Sequence, residues 1–351
     1  MMSILMNGFI GQGHQVRVVY TSRLCEPPIY NVDPNVEQVY LFASSRYSSE
    51  SLLNKLYCRL YKFYAIRKQA KLYRPDIVIS FIKTQNNDVL ASLIGLGIPV
   101  VIGDHTNVDR IYPLKTSFLS KVLYPSAAAI TMLTVRDYNR WKTKYKSVYY
   151  IPNPCDIELN TNVPRKKVIL AVGRVNQWQI KGFDSLIIAW HQIKDKYPDW
   201  TCQIAGEHSD LSLTALRNCV GEDAYSSVNF IGFRSDIHEY MQACEVFCLS
   251  SRVEGMPMVL LEAMNLGCAC VAFDCATGPA EIIADGETGL LVDNQNIDDL
   301  VKKLELVISD EKLRASFQQK APASVKKFST DNVMKMWDGM FHEIKVKYRI
   351  N

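Results

Sequence analysis

No run of apolar residues in this 351-residue chain approaches the roughly 18–20 needed to cross a bilayer. The opening stretch, MMSILMNGFIGQGHQV, has neither the basic region nor the small-residue cleavage site of a signal peptide. Both absences argue against a helical membrane protein or a secreted one and predict a chain that stays in the cytoplasm. No C-x-x-C pair occurs, and the ten cysteines lie mostly inside apolar runs such as CACVAFDC and EVFCLSS. That pattern argues against a zinc module or a disulfide framework and predicts buried, reduced thiols. No G-x-G-x-x-G follows a strand, which disfavours redox chemistry on a dinucleotide, and no nucleic-acid partner is expected.

What is present is ordinary globular material, 48% hydrophobic and 22% charged. The length suits two domains, each of about 100–200 residues. Charge is unevenly shared: residues 1–162 carry 19 Lys/Arg against 11 Asp/Glu, whereas residues 163–351 carry 21 against 25. The two halves therefore face different partners.

Strand-like runs alternate with helical stretches throughout: QVRVVY, DIVISF, PVVIGD, AITML and VYYIPN, then KKVILAVG, WTCQIAG, SVNFIGF, VFCLSS, CACVAF and TGLLV. Short apolar strands separated by helices predict parallel sheets covered on both faces, so the fold class is α/β with two Rossmann-like doubly wound domains. PNPCDIELNTNVPRKK, residues 152–167, breaks the pattern and marks a hinge. The expected domains are 1–155 and 163–328, with residues 329–351 forming a C-terminal helix that packs back toward the first domain. Ligands of such sheets bind beyond the carboxyl ends of the strands, which predicts an interdomain cleft. Four turns should meet there: Gly173-Arg174, Gly206-Glu207, Gly232-Phe233-Arg234 and Arg252-Val253-Glu254.

In EGMPMVLLEAMNLG, Pro257 suits the start of a helix and Gly267 the position past its end, giving a helix over about 257–266. Its free amides and positive dipole end would make an anion site for which a diphosphate is a natural guest. Glu262 lies inside this helix among Val259, Leu261, Met264 and Leu266. It either faces solvent or turns to a cleft, where its carboxylate can accept both hydroxyls of a ribose. Arg174 and Lys181 are either two solvated charges or a pair aimed at the same diphosphate, the arginine as a fork and the lysine as a point charge.

GRVNQWQIKGFDSLI, the stretch from IGFRSDIHEYM to TGPAEII, and GETGLLV resemble the donor-binding half of the family 4 glycosyltransferases, which have the GT-B fold. E-x7-E followed by A-M, together with G-R…K-G, carries the likeness over essentially all of residues 163–351. The resemblance implies a retaining, metal-independent transfer of a sugar from a nucleotide sugar, a UDP-sugar foremost, to an acceptor hydroxyl. It implies that Glu254 holds the donor sugar's hydroxyls, Glu262 the ribose, and Arg174 and Lys181 the diphosphate. Gly173, Gly255 and the amides around Met256, Pro257, Met258 and Val259 would cradle sugar and phosphate, with Arg234 beside the base. No D-x-D occurs, in keeping with a site that uses no metal or other cofactor. Two departures stand out: the Arg174 to Lys181 spacing is longer than the family's usual one, and Met258 stands where Asn or Ser is frequent.

In the first half, GHQVRVVY resembles the end of the family's first helix and the strand after it, so the first strand of this domain is expected to be missing. His14 then packs at a helix end. His105, at the tip of PVVIGDHTN, matches a family histidine facing the donor sugar and acceptor. Between Glu50 and Asp76 lie seven Lys/Arg and no acid, interleaved with Tyr57, Tyr61, Phe63, Tyr64 and Tyr73. Residues 52–74 are thus expected to rest on an anionic membrane surface, with Lys62, Arg67 and Lys71 among the contacts. By family analogy the acceptor is a glycan carried on undecaprenyl diphosphate, in capsule, exopolysaccharide or O-antigen synthesis, with the chain peripheral to the inner face of the cell membrane. Two alternatives share the architecture: a nucleotide-sugar 2-epimerase, and a truncated inactive copy that only binds.

Overall fold

The structure, a computed structural model, describes residues 1–21, 31–42, 52–104, 113–157, 159 and 163–350. The chain forms two units, Met1–Pro154 with Thr330–Asn351, and Cys155–Ser329. The division falls within the proline-rich stretch 152–167.

In the first unit, β1 (Arg17–Tyr20) pairs with β2 (Glu37–Tyr40). A separate sheet holds β3 (Val78–Phe81), β4 (Val100–Gly103), β5 (Ala129–Met132) and β6 (Val148–Tyr150) in that order, and every pairing is parallel. The single sheet expected here is therefore divided among the described residues, with β1 and β3 in different sheets. The runs VVIG and AITM are buried along their whole length, as parallel strands covered on both faces must be.

The helix Thr330–Tyr348 is part of this unit. Its Trp337 and Phe341 close on Phe9 of the helix Met2–Gly11, with ring centroids 5.6 and 5.5 Å away. Tyr149 of β6 donates a 2.6 Å hydrogen bond to Glu343 on the same helix. His14 stands edge-on to Phe9 and Phe341, a packing role at a helix end.

The basic helix runs Leu52–Tyr73. Two of its cations are committed to the fold: Lys62 binds Asp88 at 2.7 Å, and Arg67 donates to the carbonyls of Ser92 and Ile94. Tyr57, Leu60, Tyr64 and Leu72 are exposed, as are Arg59, Lys68 and Lys71. The outward face thus mixes aromatic and apolar side chains with cations, which are fewer than the residue count implied.

The second unit is one six-stranded parallel sheet: β7 (Lys166–Val172), β8 (Thr201–Ala205), β9 (Val228–Gly232), β10 (Cys244–Leu249), β11 (Ala269–Asp274) and β12 (Leu290–Asp293), in the order β12-β11-β10-β7-β8-β9. The chain builds outward from β7 to β9, then returns to lay β10 on the other side of β7. That reversal is the topological switch point, where the loops after two adjacent strands diverge and leave a crevice. Ile169, Leu186, Trp190, Val246, Phe273 and Leu304 fill the core around the sheet.

Arg165 ties three carbonyls together, those of Cys244, Leu266 and Gly267, at 2.6–2.9 Å. It thereby caps the carboxyl end of the helix Met258–Asn265, where unpaired carbonyls favour a cation. The described cysteines are free thiols, all buried except Cys219. Burial raises those of Cys202 and Cys248, the latter to about 12, so they remain protonated. Among the described residues no helix is long and apolar enough to cross a membrane.

Candidate functional site

Beyond Val172 the chain winds through a 3-10 turn, Val175–Gln177, and one α-turn, Trp178–Lys181, with Trp178 buried against the core. These turns absorb the long spacing between Arg174 and Lys181. Lys181 Nζ donates to Glu254 Oε1 at 2.7 Å, and the two side chains are only 21% and 13% exposed. Two residues 73 positions apart thus meet where β7 and β10 lie side by side. Partial burial lets this pair hold its geometry better than a solvent-screened surface pair would.

The two loops are joined by more than that contact. Arg252 forks onto Asp184 at 2.8 and 2.6 Å and also donates to the Gln179 carbonyl and to Ser185 Oγ. Its amide donates to the Ile180 carbonyl, and Ser250 Oγ donates to the carbonyl of Lys181. Gly182 has φ +62°, and a Cβ there would fall 1.9 Å from the Ser250 carbonyl oxygen. Only glycine permits this approach. Sequence reading placed Arg252 in a turn and gave it no role; its bidentate geometry shows it fixing the backbone on which Lys181 and Glu254 stand.

A third loop closes beneath Glu254. Thr277 Oγ1 donates to the Glu254 carbonyl. Gly278, at φ +100°, lies so close that a Cβ would sit 2.6 Å from Pro257 Cδ and 2.8 Å from the Gly255 carbonyl oxygen. Cys275 is buried here, and burial with the Glu254 charge pushes its thiol up to about 11. Pro257 is the N-cap of the helix Met258–Asn265, so the helix starts one residue later than expected. Met256 and Pro257 are buried, while Met258 and Val259 are half-buried and carry leading amides with no intrahelical acceptor.

Glu262 is 21% exposed on this helix and faces His238, whose Nε2 lies 3.7 Å from Glu262 Oε2. The carboxylate raises the imidazole above its ordinary 6.5, against the opposing effect of burial. The same charge, after burial, helps push the Cys155 thiol up to about 12. His238 belongs to the helix Ile237–Ala243 and was not singled out in the sequence. Its spacing from Glu262 gives no signal, since the two helices meet only in the folded sheet.

The remaining candidates stand apart. Arg174 is exposed, and its side chain has no partner among the described residues; Gly173 packs against the Lys181 stem. Arg234 forks onto Asp236 at 3.1 Å and lies over the Tyr240 ring. His105 lies outside the described residues. In the first unit a cavity of about 380 Å³ opens near the carboxyl ends of β1, β2 and β3, lined in part by Thr21, Phe42, Arg59, Lys62, Asn87 and Asp88.

Residues 157–324 match the family model described as Glycosyl transferases group 1, and residues 3–159 match Glycosyltransferase Family 4. A Campylobacter jejuni protein named GalNAc-alpha-(1->4)-GalNAc-alpha-(1->3)-diNAcBac-PP-undecaprenol alpha-1,4-N-acetyl-D-galactosaminyltransferase is 28% identical over 312 residues, 88% of this chain and 86% of that protein. Among solved structures, sucrose-phosphate synthase of Thermosynechococcus elongatus superposes with a TM-score of 0.81 at 16% identity, covering 98% of this chain and 92% of that one. Anabaena HepE in complex with UDP gives 0.76 at 17%, covering 97% and 96%. The architecture of these structures is GT-B.

Proposed function

The chain belongs to the glycosyltransferases that join a family 4 domain to a group 1 domain, and from that premise we propose that it moves a sugar from a UDP-sugar to a hydroxyl of a lipid-linked glycan, with retention and without a metal ion. The observation that carries this reading is the ion pair of Lys181 and Glu254 at the switch point.

In the reaction the bond between the anomeric carbon and the diphosphate oxygen breaks, and its electron pair leaves with the diphosphate. The acceptor oxygen bonds to that carbon on the same face and gives its proton to the departing phosphate oxygen. Negative charge therefore grows on the leaving group. Lys181, Arg174 and the leading amides of the Met258–Asn265 helix are the groups that stabilise it; Lys181, held by Glu254, and the amides are in place before the charge develops, and the exposed Arg174 closes on the diphosphate. Glu254, fixed from behind by Thr277 and Arg252, accepts the donor sugar's hydroxyls, and Glu262 accepts those of the ribose.

The UDP bound to HepE supports the choice of base. The Campylobacter relative forms an alpha linkage, which from an alpha-linked donor is retention, and its acceptor is undecaprenol-linked. A similar acceptor here accords with the polar cavity of the first unit and with an anionic membrane surface met by the helix Leu52–Tyr73, through Leu60, Tyr64, Lys68 and Lys71. The place of this chemistry is bacterial surface polysaccharide synthesis.

Thermal shift with UDP-, GDP- and ADP-sugars tests the donor. A bound donor at a hundred times its Kd stabilises by about 2.7 kcal/mol, so the UDP series should raise Tm and the others should not. Transfer of labelled sugar to a lipid-linked acceptor should persist in EDTA. No shift with any UDP-sugar, or full loss of transfer on chelation, overturns the corresponding part of the reading.

A further inference from the structure

We infer that His238 is a positioning residue of the donor site: its protonated ring holds the Glu262 carboxylate in place for the ribose hydroxyls, so donor affinity falls when the ring gives up its proton. This rests on the assignment of Glu262 to the ribose. The geometry points to it because Glu262, 21% exposed, has the imidazole 3.7 Å from one oxygen. Both Glu262 oxygens together offer about four acceptor directions, so a ribose diol and the ring can be served at once.

Among the described residues, Glu262 is the only close charged partner of the ring. On the Met258–Asn265 helix, Glu262 is the sole titratable side chain. On β10, Glu245 is taken by Arg314 and Gln318, and Cys244 and Cys248 are buried thiols. On β7, Lys167 pairs with Asp199 and Lys166 is exposed at the start of the strand. Around its own helix, Asp236 is held by Arg234, and Glu239 is exposed. Cys155, near Glu262, is a neutral thiol. The bound donor adds two negative phosphates to this neighbourhood, which favours the imidazolium further; proton and donor therefore bind with positive coupling.

The sign follows from the raised imidazole. Its protonated form is present below the ordinary 6.5 and is lost as pH rises through the higher folded value. The same ring therefore contributes folding stability in full below 6.5, and that contribution disappears over the same window.

The test is UDP affinity by calorimetry from pH 6 to pH 8 for the full chain and for His238→Gln, His238→Ala and Glu262→Gln. The UDP phosphate itself titrates in this range, so the readout is the ratio of variant to wild-type Kd at each pH. At pH 6 both His238 variants should bind on the order of fivefold more weakly. The ratio should approach one at pH 8 for His238→Gln, whose amide keeps a neutral donor. Glu262→Gln should weaken binding about tenfold or more at every pH. Ratios near one at all pH values for both His238 variants, with Glu262→Gln still weak, overturn the positioning role alone. Unchanged affinity in Glu262→Gln overturns the ribose assignment and this inference with it. Thermal melts of each variant without UDP separate a folding defect from either result.

Discussion

Lys181 and Glu254 restrain one another before any donor arrives, and this has a measurable consequence. Lys181→Ala removes the cation proposed to meet the leaving group and leaves a Glu254 carboxylate, 13% exposed, without its partner. Turnover should fall by about 10²–10³-fold, the scale of losing one preorganised donor, and stability by roughly 1–3 kcal/mol. Glu254→Gln should depress turnover more than UDP affinity, whereas Glu262→Gln should do the reverse. Steady-state kinetics with parallel UDP titrations decide this; equal losses in both parameters for both variants would contradict the division of roles. Gly278→Ala places a methyl against Pro257 and Gly255, at a φ that alanine avoids. It should lower both Tm and turnover by shifting the turn that carries Glu254. At this scale the sequence was informative wherever a residue belonged to a local motif: Pro257 and Glu262 could be singled out as candidates from the helix pattern, and Glu254 and Lys181 from the resemblance to the family's donor-binding half. His238, Arg252 with Asp184, and Thr277 could not, because each acts through a partner brought close only by the sheet order.

Secondary-structure elements differ in how much of their role the sequence displayed. Of the described strands, eleven were visible as apolar runs, whereas β2 was not: Glu37 and Gln38 are exposed, and among the described residues the strand has a single partner. An edge strand of that kind carries little hydrophobic signal. The basic helix is the reverse case. Its charge count was plain, but which cations point outward was not, and Lys62 and Arg67 turned out to serve Asp88 and two carbonyls. A membrane test should therefore spare them. Leu60→Ser with Tyr64→Ser removes exposed apolar surface and should reduce sedimentation with anionic vesicles several-fold, at about 25 cal/mol per Å² of lost burial, without moving Tm. Neutralising Lys62 should instead lower Tm, since Asp88, one-fifth exposed, would lose its partner. Vesicle binding unchanged in the first variant would count against this face as the contact.

Over the whole chain the two units have separate hydrophobic cores, one gathered around the second unit's sheet and others in the first, one of which the helix Thr330–Tyr348 helps to build. The residues proposed to hold the donor, Glu254, Glu262, Arg174 and Lys181, all lie in the second unit. Two calorimetric transitions are therefore expected, because a two-unit chain need not unfold as one cooperative body. UDP stabilises only what it binds, so it should raise the transition of Cys155–Ser329 first. Trp337 is 1% exposed and packs on Phe9 and Phe341. Its replacement by Ala removes a large buried ring, at about 3–5 kcal/mol, and should lower the other transition while leaving UDP affinity within twofold. A Trp337→Ala protein that loses UDP binding while its second transition is intact would show that donor capture depends on the first unit, and the assignment of the nucleotide site to residues of the second unit alone would have to be given up.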